Sequence, residues 1–183
     1  MKKSILIILI INLALASNAQ RRVKNKSNIT PQDIILSLEI HNKAREDVGI
    51  PALTWSVELA NDAQKYAEHL AKRNKGLVHC FGISNGESVA GNYRPQTLSE
   101  YWGKFACEIF YKEIKHYSYS KIRTYPFFKK FKLIRFKKIG HYTQMVSKQT
   151  TELGMGWAVS STGKIYIVAR YDKCGNILGE YPY

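Results

Sequence analysis

The stretch Gly140-His141-Tyr142-Thr143-Gln144-Met145-Val146 joins a titratable imidazole to a short alternating run of the kind that enters a sheet. A neutral imidazole near its ordinary pKa can ligate a metal or move a proton at physiological pH. His41 shares a helical face with Ile34, Leu38 and Arg45, which reads as a histidine satisfied inside the structure, whereas His69 and His116 read as solvent-facing. The three cysteines, Cys80, Cys107 and Cys174, include no CxxC pair and no local Cys/His spacing of a structural zinc site. No nucleophile elbow and no HExxH helix is present, so no local motif specifies a hydrolase.

A second kind of chemistry is spread over residues 121–138. Tyr125, Phe127, Phe128, Phe131 and Phe136 alternate there with Lys121, Arg123, Lys129, Lys130, Lys132, Arg135, Lys137 and Lys138, and no acid intervenes. Charge with aromatic insertion suits an anionic lipid, polysaccharide or nucleic acid. The formal net charge of +14 is therefore local. Once Lys2 and Lys3 are set aside, the remaining excess is carried by this segment and by Arg21, Arg22, Lys24 and Lys26, and the rest of the chain is balanced.

At 183 residues and 45% apolar content the chain suits one well-filled domain. Residues 1–19 carry two lysines, an apolar run and Ser17-Asn18-Ala19, the plan of a signal peptide, which implies an exported protein. Residues 20–30 are polar and basic and read as a disordered lead-in, leaving residues 31–183 as a single domain. Three cysteines are too few for a disulfide scaffold, so the core must supply most of the stability.

Thr30-Pro31-Gln32-Asp33 predicts a helix N-terminus, with the helix running to about Asp47 before Gly49 and Pro51. Ser56 opens a second helix to about Lys75, where Leu59, Ala63, Tyr66, Ala67 and Leu70 make an apolar stripe that Gly76 ends. Gly86-Glu87-Ser88-Val89-Ala90 reads as part of a loop. Thr97-Leu98-Ser99-Glu100 predicts a capping box for a third helix to about Tyr111. Strands are expected over residues 142–146, 153–160 and 165–171, the last two joined at Ser161-Thr162-Gly163. Helices first and antiparallel strands later give an α+β domain.

The order of landmarks is more specific than any one of them. His41-Asn42 with Ala44-Arg45, Leu53-Thr54-Trp55, Leu59-Ala60, Tyr66-Ala67, Leu77-Val78-His79, Gly86-Glu87 and Tyr111-Lys112-Glu113 precede the His141 stretch, and Gly175-Asn176 with Pro182-Tyr183 close the chain. This series, over residues 33–183, resembles the CAP superfamily of cysteine-rich secretory, antigen 5 and plant pathogenesis-related proteins. The resemblance implies a three-layer α-β-α sandwich with a central antiparallel sheet. It also implies a cleft holding His79 and His141 as metal ligands, beside Glu87 and Glu113. A divalent cation such as zinc is the cofactor such a set admits, although none is required.

The implied function is a secreted binding or interaction module, for a lipid or sterol-like ligand or for a metal in the His/Glu cleft. The alternatives are a metal-dependent hydrolase using that cleft, and an effector that binds an anionic membrane or polysaccharide through Lys129, Lys130, Lys132, Arg135, Lys137 and Lys138. For an exported chain nucleic acid is the weaker partner. The chain departs from the family pattern at Phe110 and Ser147, where Trp is usual, at Ser88 for Asn and at Lys173 for Pro. Met155 and Ala169 stand where disulfide-rich members have cysteines.

Overall fold

A computed structural model describes residues 23–80, 84–92, 100–122 and 138–183; the expected signal peptide lies outside them. The Thr30 hydroxyl accepts the Asp33 N–H at 3.2 Å and Pro31 occupies the first turn, which starts α1 at Pro31–Glu46. Gly49, at a φ of 74°, turns the chain toward Pro51. After the short strand β1, Thr54–Trp55, the Ser56 hydroxyl accepts from Leu59 and starts α2, Val57–Arg73. This helix stops earlier than expected. Asn74 takes the left-handed conformation (φ 48°) that ends it, one of the few side chains to tolerate that geometry, and Gly76 has no such role.

The remaining elements are β2 at Gly86–Asn92, α3 at Trp102–Tyr111 followed by a 3-10 turn at Lys112–His116, α4 at Gly140–Met145, β3 at Glu152–Val159 and β4 at Ile165–Tyr171. Two expectations are corrected. Residues 140–145 form a helix, and Gly86–Asn92 forms a strand instead of a loop. The expected capping residues 97–99 lie outside the described part; Tyr101 precedes α3 and makes no side-chain cap. That terminus is capped from α1 instead, by the buried Asp33, whose carboxylate oxygens accept from the Gly103 and Lys104 N–H groups at 2.8 and 2.7 Å.

The four strands lie in the order β1-β3-β4-β2, with β1 parallel to β3 and the other pairs antiparallel. β4 is buried along its whole length because both faces are covered. Ile165, Ile167, Ala169 and Tyr171 point into a core with Trp102, Ala106, Phe110 and Met145 of α3 and α4. Tyr166 and Val168 point the other way, onto Ala63, Ala67 and Leu70 of α2. The result is the α-β-α sandwich. On the α2 side β3 presents Gly154 and Gly156, and a Cβ built on them would lie 2.1 Å from the Ala60 nitrogen and 2.4 Å from the Gln64 nitrogen. Glycine is required at both places because the helix backbone occupies the side-chain volume.

Residues 24–29, part of the expected disordered lead-in, are tied down along α2 and β3. Ser27 Oγ donates to the Met155 carbonyl (2.6 Å), Asn28 N–H to Gln64 Oε1 (3.0 Å), and Trp157 Nε1 to the Asn28 carbonyl (3.0 Å). The segment thereby covers the part of β3 that extends past the two-residue β1. Met155 and Ala169 are cross-strand partners, and both are fully buried. The Cys107 sulfur lies 3.8 Å from that of Met155, and burial pushes its thiol pKa up, so it packs as an apolar group.

Two buried residues of α1 tie it to the rest. Arg45 donates to four carbonyls, those of Pro51 (2.6 Å), Met145 (3.0 Å), Ser147 (2.9 Å) and Thr150 (2.9 Å). Burial lowers its pKa to about 10, which leaves it charged at neutral pH. His41, with no exposed surface, bonds the Ser37 carbonyl through Nδ1 (2.9 Å) and the Tyr171 hydroxyl through Nε2 (3.0 Å). Burial depresses its pKa from 6.5 to about 4, with the Arg45 charge acting in the same direction and the Ser37 carbonyl opposing. Between those values the unfolded chain binds the extra proton, so this contribution to stability is complete above pH 6.5 and is lost as pH falls toward 4. The loss is on the order of 3 kcal/mol. Urea unfolding at pH 7 and pH 4.5 should show this drop in the natural chain and a smaller one in His41→Gln; equal drops would refute the assignment.

Candidate functional site

Each of the two histidines singled out by the resemblance is paired with one of the two glutamates. His79 Nδ1 lies 2.8 Å from Glu87 Oε1, which also accepts the Cys80 N–H at 2.9 Å. His141 Nδ1 lies 2.8 Å from Glu113 Oε1, while Glu113 Oε2 accepts the backbone N–H groups of His141 (2.8 Å) and Tyr142 (3.2 Å). An ionised carboxylate only accepts, so a neutral imidazole in either pair donates through Nδ1 and keeps the lone pair on Nε2.

The elements explain these positions. Glu113, in the 3-10 turn after α3, caps the first turn of α4 from outside, so one side chain both orients His141 and starts the helix that bears it. Phe110 stacks on the His141 ring at 4.6 Å between centroids and supports its other flank. The Asn176 amide donates to the Gly140 carbonyl at 2.9 Å and its carbonyl oxygen accepts the Thr143 hydroxyl, which joins the closing segment to the start of α4.

Glu87 stands in edge strand β2 directly opposite Arg170 of β4. The Arg170 Nη1 lies 2.8 Å from Glu87 Oε2 and its Nε 3.0 Å from Asp62 Oδ2 of α2. Both contacts are at ion-pair distance but outside hydrogen-bond geometry. The guanidinium lies 5.1 Å from the Tyr66 ring centroid, and the Tyr66 hydroxyl donates to the Val78 carbonyl at 2.8 Å, next to His79.

The helix that bears His141 approaches the start of β2, the strand that bears Glu87. A Cβ on Gly86 would lie 2.7 Å from Gln144 Oε1, and Gln144 is one turn beyond His141 on α4. Gln144 Oε1 accepts the Gly175 N–H (2.7 Å) and its amide donates to Thr150 Oγ1 (3.2 Å), so α4, β2 and the closing segment are joined around one amide. His79 is exposed and His141 partly so, with side-chain exposures of 61% and 28%, whereas Glu87 and Glu113 are covered at 4% and 14%. The imidazoles therefore face water and the carboxylates lie behind them, the arrangement of ligands with supporting acceptors.

As a metal site the fit is partial. Among the described residues no three His, Cys, Asp or Glu side chains converge as ligands. Both carboxylates are engaged by imidazoles, so the set offers two nitrogens, with water left to complete any coordination sphere. Of the basic side chains expected at an anionic surface, Lys138 is exposed, and Lys129, Lys130, Lys132, Arg135 and Lys137 lie outside the described residues. His69 and His116 are exposed, His69 stacking on Tyr66 at 5.8 Å. The residues that sequence reasoning missed are Arg170, Tyr66, Asp62 and Gln144. The available signal was Arg170 itself, a lone charge in the apolar run Ile165–Tyr171.

Comparison with known proteins agrees with this architecture. The family profile CAP, the cysteine-rich secretory protein family, matches residues 38–171. Pathogenesis-related leaf protein 4 of Solanum lycopersicum is 32% identical over 154 residues, covering 84% of each chain. The human Golgi-associated plant pathogenesis-related protein 1 is 34% identical over 146 residues, covering 78% of this chain and 84% of its own. Among solved structures, NaASP2 with Zn2+ superposes with a TM-score of 0.70 at 19% identity, over 86% of this chain and 88% of that one, which is a likeness of fold. The paired His/Glu geometry, the sandwich and the profile lead to one assignment: the chain belongs to the CAP family.

Proposed function

We propose that this chain is a secreted CAP interaction module in which His79 and His141 take a divalent cation through Nε2. The observation that carries this reading is the matched engagement of both Nδ1 atoms by carboxylates at 2.8 Å, which leaves each Nε2 as an acceptor for a metal. When bound, the ion supplies a Lewis-acidic centre able to hold an anionic or carbonyl group of a partner. The chain's own residues orient the imidazoles, through Glu87 and Glu113, and Phe110 limits the rotation of His141.

Two nitrogens with water suit an exchangeable ion better than a closed structural centre. Zinc is the ion to test first, since the similarly folded NaASP2 has been solved with it. Calorimetric titration at neutral pH should give saturable zinc binding that is lost in the His79→Ala, His141→Ala double variant. Equal heats from the two proteins would remove this reading. The lipid or sterol-like ligand and the hydrolase have no equally specific contact behind them. An anionic-surface role for residues 121–138 rests on charge, and vesicle binding that salt does not weaken would count against it.

A further inference from the structure

Arg170 is an anomaly of its strand. β4 is otherwise apolar apart from tyrosine hydroxyls, it is buried on both faces, and the Arg170 side chain is only 2% exposed. A cation in such a place is costly unless its charge is met, and here two carboxylates meet it. The Asp62 side chain is 56% exposed and forms the solvent end of the group. Glu87 is the buried end, covered by the same layer as Val89, Tyr166 and Val168.

We infer that Arg170 is the positioning residue for His79: it holds Glu87 in its buried place, and Glu87 in turn fixes the His79 tautomer. Three contacts hold residues 78–80 and lead back to Arg170. The Val78 carbonyl is held by the hydroxyl of Tyr66, whose ring carries the guanidinium. His79 Nδ1 and Cys80 N–H both end on Glu87 Oε1, while Glu87 Oε2 faces Arg170 Nη1. Among the described residues, neither His141 nor Glu113 touches this group; their order comes from α4 and Phe110. Removing the Arg170 charge therefore acts on one imidazole and spares the other. Without it Glu87 has no cation opposite Oε2 in a buried layer, the carboxylate leaves that place, and His79 Nδ1 loses its acceptor.

This inference deepens the metal-site reading and rests on it for its purpose, but its test needs no metal. In the metal-free full chain, long-range 15N NMR at a pH where the imidazoles are neutral should show His79 with its proton on Nδ1. In Arg170→Met the proton should move to Nε2, the ordinary preference of a free imidazole, while His141 keeps its Nδ1 proton. Arg170→Lys, which restores a charge, should recover the natural His79 tautomer at least in part. Zinc affinity should fall roughly tenfold or more in Arg170→Met.

A His79 tautomer unchanged in folded Arg170→Met would overturn the role given to Arg170. A natural chain with its His79 proton on Nε2 would instead overturn the site reading itself, so the two failures are distinguishable. If Arg170→Met does not fold, Arg170→Gln, polar and uncharged, carries the same expectation and the same refutation.

Discussion

Gly154→Ala should cost at least about 3 kcal/mol of stability, measured as a shift of the urea midpoint against the natural chain. The added methyl would lie 2.1 Å from the Ala60 nitrogen, 2.5 Å from the Leu59 carbonyl carbon and 2.6 Å from the Leu59 Cβ. Two of these neighbours are backbone atoms of α2, which cannot turn aside as a flexible side chain would. Relief requires the first turns of α2 to lift off β3, and that opens the apolar contacts along both elements. The strand fixes Gly154 from its other side through its pairing with Arg170, so β3 cannot yield either. Gly76→Ala is the matched control, because nothing lies within 4 Å of its added Cβ. It should stay within about 0.5 kcal/mol of the natural chain. A Gly154→Ala protein as stable as that control would show that helix and sheet are not in the close contact described.

Arg45→Met should be comparably severe, at about 3–5 kcal/mol, with a melting temperature lowered by roughly 10 °C or more. The methionine fills much of the volume but leaves the carbonyls of Pro51, Met145, Ser147 and Thr150 without the guanidinium donors. Orphaned buried acceptors are more expensive than the net value of the bonds that satisfied them. Three of the four carbonyls belong to residues 145–150, the segment that ends α4, so the loss also loosens the helix that carries His141. Arg45→Lys keeps a charge but lacks the planar fork that reaches several carbonyls at once, and should fall between the two. Thermal and urea unfolding of the three proteins measure the order. Arg45→Met within about 1 kcal/mol of the natural chain would contradict the clamp.

The sequence was legible where a local rule coincided with the tertiary result. The Thr30-Pro31 start of α1, the Ser56 cap of α2 and the hairpin at residues 161–163 follow from nearby residues and appear as expected. β2 was not legible because Gly86-Glu87-Ser88-Val89-Ala90-Gly91-Asn92 has one β-branched residue, and its strand form depends on pairing with β4. The stretch His141–Val146 alternates in a way that fits a strand. It is a helix because Glu113, 28 residues earlier, caps its first N–H groups. The resemblance pointed to His79, Glu87, Glu113 and His141 as a group. Which glutamate serves which histidine is a matter of strand register and of the 3-10 turn, neither of which has a sequence signature. Arg170 was passed over because an apolar run is read as core whatever single residue interrupts it, although the interruption is the cation that faces Glu87 and Asp62.

Both imidazoles are expected to hold their protons inward on Nδ1 and to keep Nε2 for a ligand. Long-range 15N NMR of the natural, metal-free chain measures this directly. The expected result is Nδ1–H for both His79 and His141, against the Nε2–H preference of a free imidazole and with His69 and His116 as exposed references. Nε2–H at both His79 and His141 would contradict the paired geometry, and with it the proposal that this face of the protein takes a metal.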